Sequence, residues 1–123
     1  MIPRPRQQGS RQQVGLEAET LALAFLKARG LTLLERNFRC RMGEIDLVMR
    51  DGASIVFVEV RLRSAGAYAS AAESIDSHKQ KRIVAAAGFY LAGRAQAPCR
   101  FDCVLLEHVH EDSIRWIKSA FDA

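Results

Sequence analysis

Two apolar runs, residues 44–50 and 54–63, meet at Asp51-Gly52, and this junction constrains the fold more than any other feature of the chain. Asp-Gly between apolar segments is a strong short-range signal for a β-hairpin, because the tight turn needs residues that tolerate positive φ. The second run contains Ile55-Val56-Phe57-Val58, apolar at every position. Side chains alternate between the two faces of a strand, so this one is expected to be central and covered on both sides.

The covers are legible on either side of the hairpin. Val14 to Arg29 carries Ala18, Ala22, Phe25 and Leu26, with Leu21, at helical spacing, and Gly30 suits the position just past a helix end. Ser77 to Leu91 places Ile83, Ala86, Ala87, Tyr90 and Leu91 along one helical face. Ser77 and Gln80 match an S-x-x-Q capping box, and Gly93 and Pro98 end the segment. Leu31 to Arg39 and Arg100 to Val109 read as strands, and Ser64 to Ser74 as a loop. Ile114 to Ile117 reads as a last strand, with Ile117 to Phe121 as a short amphipathic turn. The order α-β-β-β-α-β predicts an α/β domain with a central sheet between helices. At 123 residues one domain is expected, spanning residues 14–123. Residues 1–13 form a basic tail, expected to be disordered, with Arg4, Arg6 and Arg11 and no acid.

No apolar run reaches the roughly 18 residues of a membrane span, and the Arg/Gln-rich start is not a secretory signal. Three cysteines, an odd number, fit reduced thiols in the cytoplasm. Cys99, Cys103, His108 and His110 are poorly spaced for zinc, since residues four apart on a strand lie about 13 Å apart. The formal charge is +4, a small surplus for a protein with a polyanionic partner. Its placement is more telling, with eleven bases against six acids between residues 36 and 100.

Those bases surround a group of acids. If Asp51-Gly52 is the two-residue turn, Glu44 faces Glu59, and Asp46 lies diagonal to Glu59 on the same face as Glu44 and Arg61. Opposed carboxylates on a sheet repel and raise each other's pKa unless a cation neutralises them. Mg²⁺ suits such a site, since it takes oxygen ligands and often only one or two carboxylates plus phosphate and water. The competing expectation is a solvated hairpin whose acids pair with Arg39, Arg41, Arg61 or Arg63. Lys79 and Gln80, in the first turn of the second helix, are placed to meet an anion through free N–H groups and a side-chain cation. Arg39 and Arg63 are placed to follow a nucleic-acid backbone.

The blocks Gly43-Glu44-Ile45-Asp46-Leu47-Val48 and Val56-Phe57-Val58-Glu59-Val60-Arg61-Leu62-Arg63 closely resemble the YraN family of small uncharacterised bacterial proteins. Asn37-Phe38-Arg39, Lys79-Gln80, Arg100-Phe101-Asp102 and Trp116-Ile117-Lys118-Ser119-Ala120-Phe121 extend the likeness, as does Gly15 with Glu19 and Ala22. That family is similar to restriction-endonuclease-like proteins of the PD-(D/E)XK superfamily and to archaeal Holliday-junction resolvases. The resemblance implies a restriction-endonuclease-like α-β-β-β-α-β core with a mixed sheet. It implies Asp46 and Glu59 as the paired acids, the Val60 carbonyl as a further metal contact and Glu19 as a helix carboxylate completing the site. Glu44 is a further candidate ligand. Mg²⁺ or Mn²⁺ is the implied cofactor and DNA, branched or single-stranded, the implied partner. Resolvase-like proteins are often dimers, which makes a homodimer the assembly the likeness suggests. Arg61 stands where the motif has Lys; a guanidinium stabilises negative charge but does not act as a base. Three readings follow: a metal-dependent nuclease, a non-catalytic nucleic-acid-binding module of the same fold, and a protein-interaction role.

Overall fold

The computed structural model describes residues 10–62, 75–94 and 96–123. Arg63 and the whole of the expected loop at 64–74 lie outside the described residues, as does most of the basic tail.

Helix α1 spans Ser10–Ala28, beginning four residues before the expected Val14. It ends as the sequence predicts. Gly30 adopts φ 97, its N–H donates to Lys27 O at 3.0 Å, and Leu31 N–H donates to Leu26 O at 3.1 Å. These two bonds are the Schellman motif that a left-handed glycine permits. Three antiparallel strands follow: β1 Thr32–Cys40, β2 Gly43–Asp51 and β3 Ser54–Leu62. Helix α2 spans Ser77–Leu91, and its N-cap is Asp76 rather than Ser77. The Asp76 carboxylate accepts from Lys79 N at 2.8 Å, and Gln80 Nε2 donates back to Ile75 O at 2.8 Å. The expected Ser77–Gln80 capping box is therefore replaced by a one-way cap from Asp76, with Gln80 bonded instead to the carbonyl of the residue before Asp76. Strand β4, Cys99–Leu106, runs parallel to β3. A single 3-10 turn, Glu111–Ser113, leads into β5, Ile114–Phe121, which pairs antiparallel to β4.

The sheet order is β1-β2-β3-β4-β5, an α/β architecture with a five-stranded mixed sheet and, among the described residues, one helix on each face. Ala18, Ala22 and Leu26 of α1 pack on Leu47, Met49, Val56, Val58, Val104 and Leu106. Ile83, Ala86, Ala87 and Tyr90 of α2 pack on Ile45, Val48, Ile55, Phe57 and Phe101. Residues 55–58 are at most 6% exposed, as expected of a strand covered on both faces.

Two expectations change. The hairpin turn is Gly52-Ala53, with Asp51 paired to Ser54 and Arg50 to Ile55. Only Gly52, the first central residue, has positive φ, at 62. A turn strained at its first central position alone matches type II′, whereas Asp-Gly as the loop would require positive φ at both. Strand β3 is thereby displaced by two residues along β2, which keeps every side chain on its face but changes its partner. The second change is the C-terminus, where β5 continues to Phe121 instead of becoming a turn. Ile117, Ala120 and Phe121 all pack on the α2 face of the sheet, a spacing that mimics a helix. It arises because Ser119, at φ 52, sits where the β4–β5 register shifts and resets the alternation.

Candidate functional site

The β2–β3 ladder stops at Leu47 and Val58, although both strands run on, β2 from Gly43 and β3 to Leu62. Each stays paired on its outer side, β2 to β1 as far as Gly43 and β3 to β4 as far as Leu62. The sheet therefore forks. A continued ladder would set residue 45 opposite Val60. Instead the Val60 N–H donates to Asp46 Oδ2 at 2.8 Å, so a side chain fills the gap where backbone pairing ends. The N–H and C=O of an extended residue point to the same edge, so the Val60 carbonyl also opens on the fork.

The faces confirm the break. Ile45 packs toward α2, while Leu47, two residues on, packs toward α1. Opposite Asp46, β1 breaks its alternation at Asn37, which has φ 57; asparagine is among the few non-glycine residues that tolerate this region. Asp46 lies between the two layers, and carboxylates from both faces reach it. Glu19 of α1 lies close enough to Asp46 and Asn37 for both to act on its carboxyl. Glu59, on the α2 face, is 6% exposed and feels the Asp46 charge.

Burial governs the electrostatics of all three. It is the largest cause of raised pKa at Asp46, opposed by the Val60 N–H and by Lys79. It is also the largest at Glu19, with the Asp46 charge next. Burial first and Asp46 second push Glu59 from 4.5 up to about 8. Two carboxyl groups this close favour holding a proton between them, because each raises the cost of charging the other. On the α2 side two cations converge on Glu59 Oε2: Arg61 Nε at 3.3 Å and Lys79 Nζ at 3.9 Å.

Among the described residues, the buried side-chain N and O atoms without a hydrogen-bond partner are Glu19 Oε1, Arg36 Nε and Arg61 Nε. Such atoms are rare in native proteins, and all three border this fork. Nowhere among the described residues do three His, Cys, Asp or Glu side chains converge on one coordination point. A divalent ion here would rest on two carboxylates and the Val60 carbonyl, with water completing its shell and Glu19 behind. That donor set suits Mg²⁺ or Mn²⁺, which accept hard oxygen ligands and keep several waters.

The remaining expected residues separate. Glu44 does not face Glu59. Owing to the displaced register it stands on the exposed start of β2 and pairs with Arg39, Nε to Oε1 at 3.3 Å. Arg39 thus joins its local acid on the surface. Gln80 lines the start of α2, with its Nε2 committed to Ile75 O. Arg36 and Asn37 are the site neighbours that the sequence reading missed. An asparagine inside a strand pattern, directly after the acid–base pair Glu35-Arg36, was their signal.

A second polar cluster explains Arg100-Phe101-Asp102. Asp102 is fully buried and accepts from Arg100 Nε at 3.0 Å, Trp116 Nε1 at 2.9 Å and Ser119 N at 2.9 Å. Arg100 also reaches Asp51 Oδ2 at 3.0 Å. This cluster pins β5 at its bulge and the end of β2 to β4.

Residues 18–106 match the model of a family described as uncharacterised protein family UPF0102. Similar relatives include a UPF0102 protein of Nitrosomonas europaea, 52% identical over 88% of this chain and 92% of its own. One from Methylobacillus flagellatus is 48% identical over 91% of this chain and 99% of its own. One from Pseudomonas syringae pv. syringae is 47% identical over 95% and 99%.

Proposed function

The chain belongs to the uncharacterised protein family UPF0102, and we propose that this member is a metal-dependent nuclease-like protein acting on DNA phosphodiesters. The observation that carries the reading is the fork, where Asp46 and the buried Glu59 meet beneath two cations with the partly buried Glu19 beside them. Acids set this close in a largely buried fork are costly as structure alone. A divalent cation would relieve their repulsion. The resemblance of the two strand motifs to PD-(D/E)XK proteins supports the same assignment.

Asp46, Glu59 and the Val60 carbonyl would hold the ion, and Glu19 would act through a bound water. A bound Mg²⁺ or Mn²⁺ lowers the pKa of water and neutralises charge on a phosphodiester. The chain's own residues would do the rest. Arg61 and Lys79, both on Glu59 Oε2, are placed to turn to a phosphate oxygen once an ion occupies the carboxylate. Arg61 stays protonated and so stabilises charge without accepting a proton. Gln80, bonded to Ile75 O, holds the turn that carries Lys79. The proposed cytoplasmic location fits such a substrate; no described helix is long and apolar enough to cross a membrane.

Arg61 also favours a second reading, a module that binds nucleic acid through this fork without cutting it. Cleavage of a panel of single-stranded, duplex and branched DNA in Mg²⁺ and Mn²⁺ separates the two. The nuclease reading predicts metal-dependent cleavage that Asp46→Ala and Glu59→Ala each abolish. Cleavage that survives both substitutions contradicts it. Salt-dependent binding without cleavage selects the second reading.

A further inference from the structure

Helix α1 presents Glu19 to the fork, and the fully buried side chains beside Glu19 are the small Ala18 and Ala22. Leu21, Leu23 and Phe25 pack on the sheet only in part, with Phe25 edge-on to Trp116, and Leu26, fully buried, lies two turns on. Apolar packing of this kind holds the helix on the sheet but is non-directional, so the exact turn that aims Glu19 depends on polar contacts as well. One residue of helical rotation is about 100°, enough to turn Glu19 away from Asp46 altogether.

Arg36 supplies what the alanines lack. It lies on β1, one residue before Asn37. Its Nη2 donates to Leu16 O at 3.0 Å and to Thr20 Oγ1 at 2.9 Å. Thr20 Oγ1 in turn donates to Leu16 O at 2.9 Å. The guanidinium therefore spans one turn of α1, anchored on both sides of Glu19, and fixes the rotation and height of the helix together. Its Nε faces Glu19 Oε1 at 3.6 Å, and both atoms are buried without a hydrogen-bond partner. Asn37 makes this reach possible. Its positive φ lets Arg36 stay on the α1 face while Phe38 packs toward α2, and its carboxamide meets Glu19 from the other side.

We propose that Arg36 is the positioning residue of the fork: by clamping one turn of α1 it presents Glu19 to Asp46 and so sets the affinity of the site for a divalent cation. This rests on the cation reading of the fork, and it adds the residue on which the third carboxylate depends. A lysine keeps the charge but has one nitrogen to serve Leu16 O, Thr20 Oγ1 and Glu19 together, whereas the guanidinium divides them between Nη2 and Nε.

Mn²⁺ titration by calorimetry tests it on the full chain with Arg36→Lys, Glu19→Gln and the double variant. Residues that orient metal ligands typically change affinity 10–100-fold. Arg36→Lys is expected to weaken Mn²⁺ about tenfold, and to weaken it no further in the Glu19→Gln background. Thr20→Val, which removes one arm of the clamp, should act in the same direction and likewise vanish in that background. Losses that multiply in the double variant, or wild-type affinity in Arg36→Lys, overturn the proposal. A metal-free crystal structure of Arg36→Lys decides independently of metal uptake. A Glu19 carboxyl moved away from Asp46 supports the proposal, and a Glu19 carboxyl left in place beside Asp46 overturns it. Wild-type protein that takes up no Mn²⁺ would instead remove the cation reading, leaving the crystal structure to judge the clamp.

Discussion

Glu59 ties the response of the whole protein to one carboxyl group. Its folded pKa lies near 8, above the ordinary 4.5, so the folded state holds the proton more tightly than the unfolded chain. The sign follows from linkage: this contribution is complete below about 4.5 and is lost as pH rises toward 8. Without divalent ions, the melting temperature should fall across that window. Glu59→Gln, which keeps the shape and removes the charge, should flatten the fall and raise the melting temperature at pH 8 by on the order of 5 °C. Circular dichroism melts in chelator across the pH range check both. Asp102 contributes by pairing, its buried carboxylate accepting from Arg100, Trp116 and Ser119. Asp102→Ala leaves those donors without an acceptor and should cost about 3 kcal/mol in urea unfolding. The acids of the site were legible from their residue types and the hairpin. Their partners were not, because Gly52 rather than Asp51 begins the turn, and two residues of register decide whether Glu44 or Asp46 meets Glu59.

The elements follow the hydrophobic pattern closely, and the departures have local causes. Helix α2 spans Ser77–Leu91, as its apolar face and flanking glycine predict. The last strand was misread because the bulge at Ser119 gives Ile117, Ala120 and Phe121 a helix-like spacing. The fork itself leaves no trace in periodicity. It depends on Asp46 taking a backbone N–H from Val60, a contact invisible to any count of apolar positions. One close approach holds the open end of the fork against α2. A Cβ added at Gly43 would lie 3.1 Å from Arg82 O and 3.3 Å from Arg82 Cβ. Backbone cannot yield as a side-chain tip can, so Gly43→Ala should destabilise the protein by about 1–3 kcal/mol. Because Gly43 begins β2, the same variant should also weaken any cation bound at Asp46. Chemical denaturation reads the first effect and metal titration the second.

At the scale of the molecule, the sheet brings the two layers together at one point. Helix α1 on one face delivers Glu19, and helix α2 on the other delivers Lys79. The fork between β2 and β3 lets both approach Asp46. The modest surplus of basic residues gains meaning here, since Arg61 and Lys79 act on the buried acids while Arg39 is spent on Glu44. A cation that binds only the folded state stabilises it by mass action. At a free concentration 100 times its dissociation constant, the gain is about 2.7 kcal/mol, and Asp46→Ala should abolish it. The most direct measurement is a crystal structure grown with Mn²⁺ and a DNA oligonucleotide, read at an X-ray energy where manganese scatters anomalously. The account predicts an anomalous peak in the fork, bounded by Asp46, Glu59 and the Val60 carbonyl. A fork with no peak beside bound DNA would contradict it.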